Sequence, residues 1–322
     1  MGNTMVVAGA GGFIGGHLVA KLLESGATDV RAVDVKPLDE WLQVHAGAEN
    51  VSADLSEKVH AYSALEGAGS VFALASDMGG IGFIEQNKAL CMLSSLITTH
   101  LLMAARDHEV ERFFYASSAC VYAADKQSDP DVTALRESDA YPAMPEDGYG
   151  WEKLFSERMC RHFLEDFGVQ TRVARYHNVF GPYGTWAGGR EKAPAAICRK
   201  VIQAQLDGTE EIEIWGDGEQ TRSFMYIDDC LKGTLELAAS DVAQPVNLGS
   251  AELVTINRLV DLVEKIAGTS LRRNYNLSAP QGVRGRNSDN TLINSLLGWE
   301  PSLPLEVGLE ATYRWIYDQM TA

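Results

Sequence analysis

Met5-Val6-Val7-Ala8-Gly9-Ala10-Gly11-Gly12-Phe13-Ile14-Gly15 decides the fold class. A short apolar run enters a glycine turn, and an apolar-periodic stretch over 18–23 leaves it. That order, strand then glycines then helix, suits the pyrophosphate of a dinucleotide. Glycines let the backbone come close, and the amino end of the helix turns free N–H groups toward the anion. Gly9, Gly12, Phe13, Ile14 and Gly15 are the candidate contacts. A second apolar run, 30–33, ends at Asp34, 19 residues after Gly15. An acid there accepts bonds from the adenosine ribose hydroxyls and repels a 2′-phosphate, which favours NAD over NADP. Lys36 works against that preference. Asp54 and Leu55 follow a third strand and are expected to flank the adenine.

Outward from this turn, the chain alternates short apolar runs with longer amphipathic ones. The runs 71–74 and 113–116 are almost continuously apolar, as buried parallel strands are. Stretches 18–23 and 90–105 read as helices between them. The alternation predicts a Rossmann-type α/β fold, a doubly wound parallel sheet. A 26-residue stretch, 123–148, is rich in Asp, Pro and Ser. Loops of that length inside a domain are usually functional. A helix over 149–167 and a strand over 171–174 follow. After Arg175 the pattern loosens, with frequent Gly, Pro and Trp at 181–189 and 215–218. A helix over 227–239 and a strand over 245–248 resume the alternation. In the tail helix, 306–320, apolar residues lie at spacings of three and four, so one face packs. The expected division is a dinucleotide domain, 1–175 with 227–249 returning to it. A smaller carboxy-terminal substrate domain comprises 176–226 and 250–322.

Of the 322 residues, 46% are hydrophobic and 22% charged, an ordinary globular composition. A net charge of −17 argues against nucleic acid and anionic membrane as partners. No run approaches the ~18–20 consecutive apolar residues of a membrane span. The amino end lacks the basic region and small-residue cleavage site of a signal peptide. The five cysteines form no CxxC or metal spacing, which suits a reducing cytoplasm. The seven histidines show no HExxH or similar spacing, so no metal site is expected. His177, beside Asn178, reads as a packing or hydrogen-bonding residue.

Tyr149-Gly150-Trp151-Glu152-Lys153 puts a phenol and an ammonium on one helix face. A tyrosine, with a pKa of ~10, is a poor base at neutral pH. A cation one turn away stabilises the phenolate and is expected to lower that value. The pair then takes a proton from a sugar hydroxyl while hydride leaves to NAD. Ser118, at the end of the strand that starts near 113, is placed to hold the same hydroxyl.

With these pieces the chain resembles, over essentially its whole length, the extended short-chain dehydrogenase/reductases that act on nucleotide sugars. Arg175-Tyr176-His177-Asn178-Val179-Phe180-Gly181-Pro182 and Arg222-Ser223-Phe224 with Ile227-Asp228-Asp229 carry the resemblance in the second half. Four further strings narrow it: Asp77–Ile84, Ala116–Tyr122, Gly184–Pro194 and Gly282–Asn290. They are similar to those of members that invert C3 and C5 of GDP-mannose. The resemblance implies NAD on the large domain and the nucleotide sugar in a cleft under the small one. It implies that Cys120 and Lys192 are an acid/base pair, and that Tyr149, Lys153 and Ser118 run the redox step. Gly79, Gly80 and Glu191 are expected at the sugar, and Asn178 at the sugar or its phosphates. Arg199, Lys200, Arg222, Arg284 and Arg286 are expected at the diphosphate, where forked guanidiniums fit well. A homodimer through the helices 90–105 and 149–167 is also implied.

The chemistry explains the residue types. Oxidising C4 to a ketone makes the hydrogens on C3 and C5 acidic, and inversion then needs a base on one face of the ring and an acid on the other. Related dehydratases carry an Asp-Glu pair where this chain has Ala119 and Cys120, so the acid that expels water is missing. A simple 4-epimerase leaves Cys120 and Lys192 without a role. Inversion at C5 alone uses the same residues and stays open. A non-catalytic NAD sensor would typically lack Tyr149 or Lys153, and both are present.

Overall fold

The apolar runs of the first half form strands that all lie parallel in the computed structural model, which describes residues 2–322. In chain order this half holds β1 (Thr4–Ala8), α1 (Phe13–Glu24), β2 (Val30–Asp34), β3 (Glu49–Ser52), α2 (Lys58–Ala64), β4 (Ala68–Ala73), α3 (Ile81–Gln86), α4 (Lys88–Asp107), β5 (Arg112–Ser118), α5 (Tyr149–Phe167) and β6 (Thr171–Tyr176). The second half holds β7 (Val179–Phe180), α6 (Ala193–Asp207), β8 (Glu211–Trp215), β9 (Thr221–Ser223), β10 (Met225–Tyr226), α7 (Ile227–Ala239), β11 (Val246–Leu248), β12 (Leu253–Thr255), α8 (Ile256–Ala267), β13 (Arg272–Asn276), β14 (Gly285–Arg286), α9 (Thr291–Leu297) and α10 (Leu305–Thr321).

Seven strands pair in the order β11-β6-β5-β4-β1-β2-β3. The direction of winding reverses between β1 and β4, which places a crevice at the carboxyl ends of those strands. The glycine turn after β1 and the end of β5 both open onto that edge. α7 and β11 rejoin this sheet late in the chain, β11 pairing with β6.

Helices cover both faces of the sheet. Leu18, Val19 and Leu22 of α1 pack with Cys230, Leu231 and Leu237 of α7 on one side. Leu101, Leu102 and Ala105 of α4 and Phe163 of α5 fill the other. A third core joins α6, α8 and α10 through Val201, Leu259, Val263, Leu309 and Ile316. By length and composition the 20-residue α4 is apolar enough to cross a membrane, with a mean hydropathy of 1.4. Here its carboxyl half is buried on the sheet, while Leu90, Met92, Leu93 and Leu96 near its start stay exposed.

The long stretch 123–148 is an ordered strut between the halves. Two 3₁₀ turns, Ala124–Gln127 and Glu137–Ala140, shape it. Leu135 N donates to Asn287 O at 3.0 Å, and Asp289 N to Leu135 O at 3.1 Å. Arg284 N donates to Gln127 O at 2.9 Å.

Candidate active site

The glycine turn fits a dinucleotide for steric reasons. Gly9 has φ +91°, and a Cβ there would lie 2.8 Å from Ala75 N. A Cβ on Gly15 would lie 2.1 Å from Gly9 O. The turn is therefore bare backbone, with Gly12, Phe13 and Ile14 opening α1. Asp34 ends β2 and accepts from Lys36 N at 3.1 Å. Lys36 folds back onto the turn, its Nζ donating to Gly11 O at 3.0 Å. Asp54 accepts from Ser56 N at 2.8 Å, whereas Leu55 is buried in the core.

Beyond the ends of the strands lies a cavity of about 480 Å³, walled by both halves of the chain. Ser118, Cys120 and Tyr149 line it from the Rossmann half, and Asn178, Lys192 and Arg222 from the other. Ser118 ends β5, and its Oγ accepts from Cys120 N at 3.2 Å. That bond caps the tight turn Ala119–Val121, which presents the Cys120 thiol. Tyr149 opens α5 directly behind. A Cβ on Gly150 would lie 2.4 Å from Cys120 O, so only glycine lets the helix come this close.

Tyr149 is almost wholly buried. Its phenol is held well above the ordinary tyrosine range, first by burial, then by Cys120 and Glu152 beside it; a hydrogen bond with Ser118 pulls the other way. This reverses the depressed value expected from Lys153. The Lys153 ammonium lies 5.5 Å from the centre of the Tyr149 ring and 4.9 Å from that of Tyr115. It also lies 3.6 Å from the buried Glu152 carboxylate, which offsets its charge. In the protein alone, desolvation outweighs the cation.

Lys192 caps α6, at the end of a loop that bears Gly188 and Gly189, both at φ +88°. The cavity walls strip water from its ammonium and lower its pKa, while Cys120 nearby acts in the opposite sense. Gly80 N donates to Arg190 O at 3.0 Å, and a Cβ on Gly80 would lie 2.5 Å from Glu191 O. A Cβ on Gly79 would meet the Phe83 Cβ at 2.9 Å and the edge of its ring at 3.0 Å. Both glycines line the cavity, but their tight approaches are to Phe83 and to the loop carrying Lys192.

The basic residues divide. Arg199 pairs with Glu191 at 3.1 Å, and Lys200 donates to Glu213 O at 2.7 Å. Arg222 donates to the carbonyls of Thr221 and Val283, and burial draws its pKa down to about 10, so it stays charged at neutral pH. Arg284 is off the cavity wall and chelates Asp217 through bonds of 2.9 and 3.0 Å. Arg286 points to the thiol: Nη1 donates to Cys120 Sγ at 3.6 Å, Nε to Gln127 Oε1 at 2.7 Å, and the guanidinium pairs with Glu146. Among the described residues, Lys192, Lys200 and Arg222 of the wall form no ion pair. The cavity is thus locally positive in an acidic chain.

Asn178, at φ +44°, donates to Ser223 O at 2.9 Å. His177 is buried and shares a bond of 2.9 Å with Asn247. Burial lowers its pKa to about 4, so it is neutral. Sequence reading missed Gly150, Glu146 and Trp215, of which the last two line the cavity. A glycine in the first turn of a helix, where it weakens the helix, is the signal that could have found Gly150.

Comparison with known proteins matches residues 5–249 to the NAD dependent epimerase/dehydratase family. A GDP-mannose 3,5-epimerase 1 of Oryza sativa subsp. japonica is 47% identical over 98% of this chain and 82% of its own length. The GDP-mannose 3,5-epimerase of Arabidopsis thaliana is 45% identical over the same shares. Among solved structures, the UDP-glucose 4-epimerase of Thermotoga maritima with UDP-glucose aligns with a TM-score of 0.87 at 25% identity, covering 98% of this chain and 99% of that one. The UDP-glucuronic acid 4-epimerase of Bacillus cereus, in complex with UDP-glucuronic acid and NAD, aligns at 0.81 with 26% identity and the same coverage.

Proposed function

The chain belongs to the NAD-dependent epimerase/dehydratase family, and from that premise we propose that it converts GDP-D-mannose to GDP-L-galactose by inverting C3 and C5, with GDP-L-gulose as the product of inversion at C5 alone. The observation that carries this reading is one cavity holding two proton-handling sets, Tyr149 with Ser118 and Cys120 with Lys192. A 4-epimerase needs only the first.

The bare turn at Gly9–Gly15 and the carboxylate of Asp34 would hold NAD. Held there, NAD would supply a reversible acceptor for the C4 hydrogen and its electron pair, which leaves the reaction with no net redox change. Tyr149 takes the O4 proton, Ser118 holds the same oxygen, and Lys153 supplies the positive charge that makes a phenolate tolerable. With C4 a ketone, Cys120 and Lys192 remove and deliver protons at the neighbouring carbons. The lowered pKa of Lys192 makes its neutral form more accessible than that of a solvated lysine. Lys200 and Arg222, cations without carboxylate partners, suit the diphosphate.

The reaction is tested in deuterated water. Product carrying deuterium at C5 and C3 supports double inversion, and deuterium at C5 alone reduces the reading to a 5-epimerase. Conversion of GDP-mannose with no carbon-bound deuterium refutes both.

A homodimer is part of the same reading. Leu93 of α4 is 56% exposed and Phe155 of the adjoining α5 is 53% exposed, with Met92, Leu96 and Trp151 beside them. Two packed helices with such faces can meet their own copies across a twofold axis. Sedimentation showing a stable monomer at micromolar protein would sink this. Five free, buried cysteines support a reducing cytoplasm as the compartment.

A further inference from the structure

Glu152 is the buried carboxylate of the catalytic helix that no step above uses. It accepts from Tyr115 Oη at 3.3 Å and from Ser156 Oγ at 2.9 Å, both through Oε1. Oε2 has no hydrogen-bond partner among the described residues and faces Lys153 Nζ at 3.6 Å. A buried carboxylate is costly, and two donors and one ammonium are the groups that offset that cost here. Lys153 in turn sits over the rings of Tyr115 and Tyr149.

We propose that Glu152 is a positioning residue that balances Lys153, so that Tyr149 can both take the O4 proton and give it back. The proposal rests on the reading of Tyr149 as the proton acceptor. An epimerase differs from a dehydrogenase in needing both directions at one site. Oxidation moves the O4 proton to the phenolate oxygen and the C4 hydrogen with two electrons to NAD. Reduction reverses both transfers and restores the phenolate. Without the carboxylate, the ammonium would pull Tyr149 toward its ionised form and make the phenolate a weaker base, so that uptake of the O4 proton, and with it oxidation at C4, would slow. A carboxylate on the same lysine weakens that bias.

The groups facing Tyr149 are few. Cys120 approaches from its turn, Cys91 from α4, Ser118 from the end of β5, and Glu152 and Lys153 from α5 itself. Glu152 is the carboxylate among them, and its influence on the phenol is upward.

The test uses NAD-loaded protein and two readouts. One is the pH midpoint for substrate-driven formation of reduced nicotinamide. The other is ultraviolet difference titration of the Tyr149 phenol without sugar, with the Tyr149→Phe protein subtracted. Glu152→Gln keeps the shape and an acceptor but removes the charge. Both midpoints should fall by about one pH unit, a tenfold change at fixed pH, and less reduced nicotinamide should stand at steady state. Tyr115→Phe removes one donor and leaves the carboxylate less screened, so both midpoints should rise slightly. A packing role predicts no such opposition. Shifts of the same sign, or none in folded NAD-loaded variants, overturn the proposal. If Glu152→Gln loses its cooperative melt, the sign of the Tyr115→Phe shift decides alone. Wild-type protein that reduces no NAD on substrate overturns the reading of Tyr149 instead, a distinguishable result.

Discussion

The two pairs proposed to handle protons in the cavity are built in opposite ways. Tyr149 and Lys153 lie one turn apart on a single helix, so their spacing is set by helix geometry. Cys120 and Lys192 lie 72 residues apart and come from different halves of the molecule. Cys120 is fixed by a capped turn and by Arg286, which is itself held by Gln127 and Glu146. Lys192 ends a loop with two positive-φ glycines and makes no ion pair among the described residues. The pair proposed for the redox step is local to one helix, while the pair proposed for epimerisation depends on how two loops meet. The first suits a step shared across the family, the second a step that distinguishes its members.

The comparison breaks first at Tyr149. Tyr149→Phe should stop both the reduction of NAD by substrate and solvent exchange, a loss of ~10²–10⁴-fold or more. NAD content should be unchanged, because Gly9, Gly15 and Asp34 are untouched. A variant that still forms product at the wild-type rate would end the assignment.

Cys120→Ala and Lys192→Ala should separate the pairs. Each should cut deuterium incorporation by ~10²–10⁴-fold while reduced nicotinamide still appears on adding GDP-mannose. Equal loss of both signals would mean that the two pairs do not act independently.

Gly150→Ala sharpens the comparison at the point where the pairs touch. The added methyl meets Cys120 O, so either the turn or α5 must move. Stability should drop by about 1–3 kcal/mol, and exchange should fall several-fold more than NAD reduction. If reduction falls further than exchange, α5 and not the turn gives way.

The smallest effect concerns stability. The folded-state pKa of Lys192 lies below its unfolded value. Its charged form therefore costs stability at neutral pH. That cost fades as pH rises through the folded value and is gone above the unfolded one. Lys192→Met should raise Tm near neutrality by about 2–4 °C, and the gap from wild type should narrow as the buffer becomes more alkaline. A gap that widens would show that the ammonium is paired in solution.

Legibility followed the range of the interactions. The glycine turn, Asp34 and the Tyr149–Lys153 spacing are local patterns, and the strands of the first half are continuous apolar runs, so the Rossmann sheet was readable. The 123–148 stretch was recognisable as unusual, yet its work as a strut depends on partners such as Asn287 that no local pattern names. β7 to β10 are two to five residues long, too short to show a period. α8 is different: Ile256, Leu259, Val260 and Val263 make a stripe at helical spacing that went unread. At the site, the direction of the Tyr149 shift was misjudged because spacing reveals Lys153 but not burial, Cys120 or the charge on Glu152. Arg284 and Arg286 stand two residues apart, and only their distant partners separate them: Asp217 draws Arg284 off the wall, while Gln127 and Glu146 hold Arg286 against a thiol.

The late return of β11 to the sheet has a consequence for synthesis. β6 is complete once residue 176 has been made, but its outer edge finds β11 only after residue 248. A nascent chain emerging at ~5–20 residues per second therefore carries an open, apolar parallel edge for several seconds. During that interval the segment 177–245 has no finished sheet to dock against. The seven-stranded sheet is not one contiguous piece of gene, and a chain stopped at 226 would keep the glycine turn yet lack α7 and β11, which cover β6. Such a fragment should sediment with aggregates, whereas one ending after residue 249 should remain in the supernatant longer.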